Sequence, residues 1–374
     1  MSTRYSRGEG RRASAVPVGV VLAATLLVAG CNGGMSTTDP VARASGSSAV
    51  STPQHVPFAL PPPSPPSAPW PSGLTPSAII GTGEGVAGVL NVEGDTIWTV
   101  VDGHAVNLDA RTGAQLSSFP VQGGVDRIAV TGEWAWATGE LAGVVVQYHL
   151  PDGKQGNVVP ALKPVDLVIA HGSVWVSQHH EGTVLRIDPI TGQTREVQVV
   201  KKDRAGPQSL FADDAAVYVT VPRDRALYRI DPRTGATAQL RGEALACGGM
   251  EKVGAVIWAT GCFSGQQVVG FDTTSRRSAG SISLGERYSE DVALVDGFLW
   301  ASIAVESDVT GEMVTDRTAL ALLDPRSRKV VRTLELPDGG GTLAVAGGKL
   351  WAVGRTGNTI LGFDSSDLAK AARG

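Results

Sequence analysis

Three groups of residues in this chain of 374 residues have types and spacings that could do chemistry. His179-His180-Glu181 sets two imidazoles beside a carboxylate, a combination able to act as general base or to bind a metal ion. Successive residues of an extended chain point to opposite sides, so the same triplet also reads as a polar loop. Asp126, Asp166 and Asp291 recur at matching places in a repeated unit. If they surround one opening, their oxygens suit a hard cation, Ca²⁺ or Mg²⁺; otherwise they are solvated acids that begin strands. Cys247 and Cys262 form the third group and would be joined by a disulfide in an oxidising compartment. The chain has no Ser-His-Asp pattern with nucleophile-elbow glycines, no phosphate loop and no zinc-type cysteine spacing. Nothing in these motifs demands an enzyme.

The elements that must position these residues repeat along the chain. Each unit reads as a small-apolar run, a glycine-containing turn, an apolar strand with a central aromatic, a loop, and a strand ending in Asp and a Gly turn. The aromatic falls at Trp98, Trp136, Trp175, Tyr218, Trp258, Trp300 and Trp351. The strand-ending Asp falls at 109, 188, 231, 272, 324 and 364, with His149 in the second unit. A period near 40 residues, built of short strands and turns, predicts four-stranded antiparallel blades packed radially. Seven units predict an all-β, seven-bladed β-propeller. The last unit stops after Asp364 without a fourth strand, and Ser77 to Gly81 is an orphan strand upstream, so this N-terminal strand is expected to close the ring. The aromatics are expected to fill the wedges between blades, and the Asp-Pro-x-Thr-Gly sequences to be turns.

Counting nine or ten residues back from each aromatic places Gly88 or Val89, Asp126, Asp166, Ser209, Gly249, Asp291 and Thr342 at the mouth of the central channel. Asp126, Asp166, Ser209, Asp291 and Thr342 are therefore candidate binding residues, and the three Asp candidate metal ligands. His179, His180 and Glu181 lie on a loop of the same face, as do Asp102-Gly103-His104 and Arg223-Asp224-Arg225. Cys247 and Cys262 sit symmetrically about the fifth unit's first turn, a register that puts them opposite one another. The sixth unit carries a long acidic loop, Ile303 to Arg317, suited to partner contacts.

Upstream of the repeats, Arg4, Arg7, Arg11 and Arg12 precede an apolar run of 15 residues, Val16 to Gly30. This has the shape of an export signal and is short of the ~20 residues needed to span a bilayer. Val28-Ala29-Gly30-Cys31 resembles the bacterial lipoprotein lipobox, which implies cleavage before Cys31, a diacylglyceryl thioether on it and an acylated, palmitate-type N-terminus. An ordinary cleaved signal ending at a chance cysteine is the alternative. The expected organisation is a signal peptide at 1–30, a lipidated Cys31 with a disordered Pro/Ser-rich tether to 75, and the propeller at 76–374. The whole chain carries a net charge of -4, and removing residues 1–30, with four Arg and one Glu, leaves -7. Such a chain gains nothing from a nucleic-acid backbone.

Gly-x-Val-Trp-Val-Ser at 172–177 followed by Val-x-Arg-Ile-Asp-Pro-x-Thr-Gly at 184–192, and a looser copy at 216–235, resembles the repeats of streptogramin lyase-like and YVTN/NHL-type β-propellers. The resemblance spans about residues 77 to 374. It implies the propeller fold, and for the lyases an elimination at an ester of a cyclic peptide by His and Glu with Mg²⁺, partly from a Glu-x-His strand. No Glu-x-His occurs here, so no catalytic residue carries over.

The expectation is a monomeric binding or scaffolding module, held on the outer face of the cell membrane by lipid on Cys31. Its top face would meet a protein, a peptide or an envelope glycan. The alternative is a propeller enzyme of lyase or lactonase type, with a cation at Asp126, Asp166 and Asp291 and His179 or His180 as base.

Overall fold

The computed structural model describes residues 58–65, 69–70, 74–83, 87–202, 206–243, 246–261, 266–306, 313–338, 340–354 and 358–373. Cys31, the export signal, Cys262 and residues 307–312 of the long acidic loop lie outside the described residues.

Seven four-stranded antiparallel sheets form the blades of a β-propeller. In sequence order the blades span residues 91–120, 127–160, 164–198, 210–241, 246–283, 287–336 and 340–364. Blade 7 takes its outermost strand from the N-terminal side: Ala78–Gly81 pairs antiparallel with Thr359–Asp364, from Ala78↔Gly362 to Gly81↔Thr359. Lys349 locks this closure by reaching Ser77 Oγ at 2.6 Å and pairing with Asp364. The expected ring closure is thus the one observed. After Asp364 the chain turns into a helix, Ser365–Arg373, whose Leu368 is fully buried against blades 6 and 7.

The marker aromatics occupy the wedges. Trp136, Trp175, Trp300 and Trp351 are fully buried. Each core cluster joins the aromatic of one blade to aliphatic residues of the next: Trp175 meets Val217, Val219 and Ile230, and Trp351 meets Ile97, Val106 and Leu108 across the closing seam. Trp351 Nε1 also donates to Ala110 O at 3.1 Å. The second strand of a blade has almost no wet face, as in Ser173–Gln178 and Ala216–Val221, so its residues are covered on both sides by neighbouring blades. Burying one such indole is worth several kcal/mol, and its truncation to Ala costs about 3–5 kcal/mol.

The Asp motifs are turns. Asp188 Oδ1 accepts the N–H groups of Ile190 and Thr191 at 3.0 and 2.8 Å, and Asp109, Asp231 and Asp272 repeat the arrangement. Backbone donation, first from Thr191, lowers the Asp188 carboxyl below its ordinary range.

Part of the expected free tether behaves differently. Phe58 stacks on His104 with ring centroids 4.2 Å apart and 6° between planes. Its carbonyl accepts Gln115 Nε2 at 2.6 Å and Ser118 Oγ at 2.8 Å, and Leu60 N donates back to Gln115 Oε1 at 2.9 Å. The carbonyls of Pro61 and Pro62 pass so close to Gly81 that a Cβ there would sit 2.6 Å from each. Leu74 is 1% exposed in the core between blades 6 and 7, and Trp70 meets Phe363 edge-on at 6.3 Å. Proline composition suggested an unbound spacer. The few apolar residues within it, Phe58, Leu60, Trp70 and Leu74, fasten it to the ring instead. The compact unit accordingly begins at His55, well before residue 76.

Candidate functional site

The innermost strand of each blade starts at one end of the central channel, and there the ladder breaks in four blades. Register shifts fall between Pro164 and Leu167, Ala246 and Met250, Ser289 and Val292, and Gly340 and Leu343. Such bulges turn side chains off the sheet and are frequent next to functional sites. They carry Asp166, Gly249, Asp291 and Thr342. Hydroxyls two residues after the marker aromatics hold the starts of innermost strands: Ser177 Oγ accepts Asp166 N at 3.1 Å and Ser302 Oγ accepts Asp291 N at 3.2 Å in two of the bulges, and Thr220 Oγ1 accepts Ser209 N at 3.0 Å in blade 4.

These strand starts line a cavity of about 970 Å³. Gly88, Val89, Asp126, Asp166, Ser209, Gly249, Asp291 and Thr342 all border it, so the count back from the aromatics located the mouth. Arg127, Glu140, Gln208, Glu251 and Glu290 border it as well and had been missed. A detectable signal existed for Arg127, Gln208 and Glu290, which adjoin counted positions. Glu140 comes from a loop whose course no strand count gives.

The carboxylates at the mouth tie blades together. Asp166 Oδ2 accepts Leu210 N of blade 4 at 2.8 Å while Oδ1 accepts Leu167 N at 2.9 Å. Asp291 repeats this three blades on, with Leu343 N of blade 7 on Oδ2 and Val292 N on Oδ1, both at 2.8 Å. Ser209 Oγ donates to Cys247 O at 2.6 Å, Arg127 Nε to Val165 O at 3.2 Å, and Glu251 Oε2 accepts Leu294 N at 3.4 Å. Gly249 has a reason to stand where other blades place Asp, since a Cβ there would lie 1.6 Å from Asp291 Oδ1. The three Asp do not converge. Among the described residues no group of three or more His, Cys, Asp or Glu lies close enough to hold a metal ion. Of the three Asp, Asp166 and Asp291 are each held by a backbone N–H of the next blade, whereas the Asp126 carboxylate has no such bond.

Burial raises the Asp166 carboxyl above its ordinary range, with Arg127, 3.7 Å from Oδ1, pulling the other way. Asp126 faces the cavity but is enclosed enough that burial also raises it, again against Arg127. Burial pushes Asp291 up to about 7, outweighing the Leu343 and Val292 N–H groups, and Glu251 and Asp166 add to the rise.

His179, His180 and Glu181 are not among the cavity's lining residues. They follow Ser173–Gln178 in a loop beside it, the two rings 5.4 Å apart. Glu181 is engaged by Lys202 Nζ at 2.5 Å. His180 is exposed, while the half-buried His179 keeps Nδ1 away from solvent with no hydrogen-bond partner. The triplet thus does not act as one unit. In the fifth blade the register runs from Met250↔Ala259 to Val253↔Val256, then slips by two residues to Ala246↔Gly261. The symmetric spacing of Cys247 and Cys262 therefore does not by itself set them opposite one another.

No family model and no curated protein matches the chain. Solved structures do. A selenomethionine-substituted virginiamycin B lyase from Staphylococcus aureus aligns with a TM-score of 0.61 and 14% identity over 77% of this chain and 98% of that one. U3-55K aligns at 0.60 and 12% identity over 78% and 100%, and a streptogramin B lyase at 0.59 and 14% over 78% and 96%. The likeness is one of fold. Two lyases and U3-55K fit this ring almost equally well, so the propeller carries no activity with it.

A pH prediction follows from Asp291. An unfolded Asp titrates near 3.9, so between about pH 4 and 7 the folded chain binds more protons than the unfolded one and stability falls as pH rises. Asp291→Asn removes this titration while disturbing the Leu343 contact. In thermal unfolding, the stability lead of the parent over the variant shrinks from pH 4.5 to pH 7.5, by at most about 4 kcal/mol. A lead that stays constant with pH contradicts the assignment.

Proposed function

We propose that this chain is an exported, lipid-anchored β-propeller that binds its ligand at the top of the central channel, as a recognition or scaffolding module of the cell envelope. The observation that carries the reading is the cavity of about 970 Å³ at the channel mouth, of ligand size and lined by a mixture of apolar and polar residues. Its Asp166 and Asp291 oxygens are already engaged by backbone N–H groups, which leaves them poorly placed for catalysis or cation binding. The ligand classes that suit such a mouth are a protein segment, a peptide or a glycan. One structural neighbour, a catalytically inactive virginiamycin B lyase solved with quinupristin, supports small-ligand recognition by rings of this shape. The acidic balance of the chain speaks against nucleic acid. The module works as a monomer.

The anchor is part of the same proposal and rests on the apolar run ending in Val28-Ala29-Gly30-Cys31. A Cys247–Cys262 disulfide is supported by the disulfide-bonded state of Cys247 and by the chain having only three cysteines. It would pin the top of blade 5 beside the mouth.

Hydrogen exchange on the full chain, with and without a solubilised envelope digest, tests the binding surface. Protection concentrates at residues 88–89, 126–127, 165–168, 208–210 and 341–343; protection confined to the outermost strands contradicts the reading. Mass spectrometry of the membrane-fraction protein finds lipid on Cys31 and a cross-linked 247–262 peptide, and Cys31→Ser moves the protein to the soluble fraction. Retention of that variant in the membrane overturns the anchor.

A further inference from the structure

The end of the ring opposite the channel mouth carries a cluster of cations on blades 5 and 6. The innermost strand of blade 6, Arg287–Val295, starts at the mouth, and the third strand, Met313–Asp324, runs the same way, so the turn after Asp324 lies at the far end. That turn and the start of the next strand supply Arg326, Arg328 and Lys329. The corresponding turn of blade 5, after Gln267–Asp272, supplies Arg276 and Arg277. All five are exposed. The two turns adjoin: a Cβ on Gly280 of blade 5 would lie 2.3 Å from Arg328 Nη1 and 2.8 Å from its Cδ, so this side chain lies across the neighbouring blade. The C-terminal helix Ser365–Arg373 extends the cluster on its other side, where Arg332 Nη1 donates to Ala371 O and the Arg373 guanidinium sits 6.0 Å from the Phe298 ring centroid.

The protein itself does not neutralise these charges. Among the described residues, Lys370 is the one member of the cluster with a carboxylate partner, Asp367 at 2.7 Å. The acids of the two turns are occupied as caps: Asp272 Oδ1 accepts Thr274 N and Ser275 N at 2.8 and 3.0 Å, and Asp324 accepts Arg326 N at 2.9 Å on Oδ1 and Ser327 Oγ at 2.6 Å on Oδ2. Counting Asp296 and Asp367 with them, four carboxylates stand against the eight Arg and Lys side chains of residues 276–277, 326–332 and 370–373, in a mature chain whose net charge is -7. Val331, the extra residue between the pairs Leu322↔Arg332 and Leu323↔Val330, is 58% exposed within this patch.

Resting on the lipid-anchored reading above, we propose that this patch docks the ring onto the anionic lipid surface of the membrane that holds Cys31, so that the channel mouth faces away from the bilayer. Lys and Arg side chains beside anionic headgroups each raise affinity about 5-fold, and a local surplus of cations on an acidic protein selects which face approaches. Chain length permits this orientation. Phe58 meets the ring at His104, next to the cavity-lining Asp102 and Gly103 and hence at the mouth end. A short tether would therefore hold the mouth against the bilayer. The 26 residues between Cys31 and Phe58 reach up to roughly 80 Å at ~3.1 Å each, whereas the nine-residue innermost strand of blade 6 is about 30 Å long. Anchor and patch thus meet one bilayer from opposite ends of the ring.

Attraction of this kind extends over about one Debye length, ~8 Å at physiological salt, so docking reverses when salt is raised. It also leaves the cavity of about 970 Å³ open toward the envelope, where the proposed ligands lie.

The test is hydrogen exchange, read by mass spectrometry, of the full chain on vesicles of phosphatidylcholine alone or of phosphatidylcholine with phosphatidylglycerol. Phosphatidylglycerol slows exchange at residues 273–277, 325–332 and 370–373, the neutral vesicles do not, and about 0.5 M salt abolishes the difference. Arg277→Gln combined with Arg326→Gln and Lys329→Gln, three exposed positions, keeps the parent's thermal unfolding and weakens docking roughly 100-fold, which returns exchange to the neutral-vesicle rate. Lys370→Gln with Arg373→Gln weakens it about 25-fold by the same reckoning and keeps the test decisive where the turn variant loses stability. Absence of the protection, equal protection on both kinds of vesicle, or protection unchanged in both variants overturns the proposal, as does protection by soluble polyphosphate with none on vesicles. Lipid on Cys31 is read by mass in the same sample, and the mouth by exchange with the envelope digest, so failure of docking is distinguished from failure of the anchor or of the binding surface.

Discussion

Every feature of this molecule depends on the covering of apolar blade faces by neighbouring blades. A four-stranded sheet with Val, Ile and Trp on both sides cannot stand in water, and its only cover is the next copy of itself. The buried Trp or Tyr of each second strand fills the space that opens between twisted sheets as they fan out from the axis. Because each blade needs two neighbours, the ring has to close. The Ala78–Gly81 strand and Lys349 both serve that closure.

The same constraint accounts for the channel mouth. Where innermost strands converge, they are too crowded to continue as regular ladders, and bulges at residues 165–166, 290–291 and 341–342 relieve this. A carboxylate in a bulge can reach the backbone of the next blade, and Asp166 and Asp291 both do so. Cohesion of the ring at its narrow end thus rests partly on polar bonds. Beside these bonds, Arg127, Glu140 and Gln208 border the cavity.

The repeat was legible because blade packing writes itself in sequence at a fixed period. One aromatic per unit and a strand-ending Asp in six of the seven sufficed to count seven blades, assign the orphan strand and pick out residues that border the cavity. Sequence could not show the bulges, since a two-residue slip at Ala246/Met250 leaves no mark in composition. Nor could it separate a carboxylate that holds a cation from one that holds a neighbouring N–H, because Asp291 looks the same in both roles. The fastened tether was hidden by its prolines, although Phe58, Leu60, Trp70 and Leu74 stood out within it as residues with apolar surface to bury.

The claim on which the account turns is that the mouth carboxylates bind blades and leave the cavity to an organic ligand. Calorimetric titration of the chelator-treated full chain with Ca²⁺ and with Mg²⁺ tests it most directly. The account predicts no saturable binding in the micromolar range. Micromolar binding of either ion that is lost in Asp126→Asn would contradict it and place a metal at the centre of the ring.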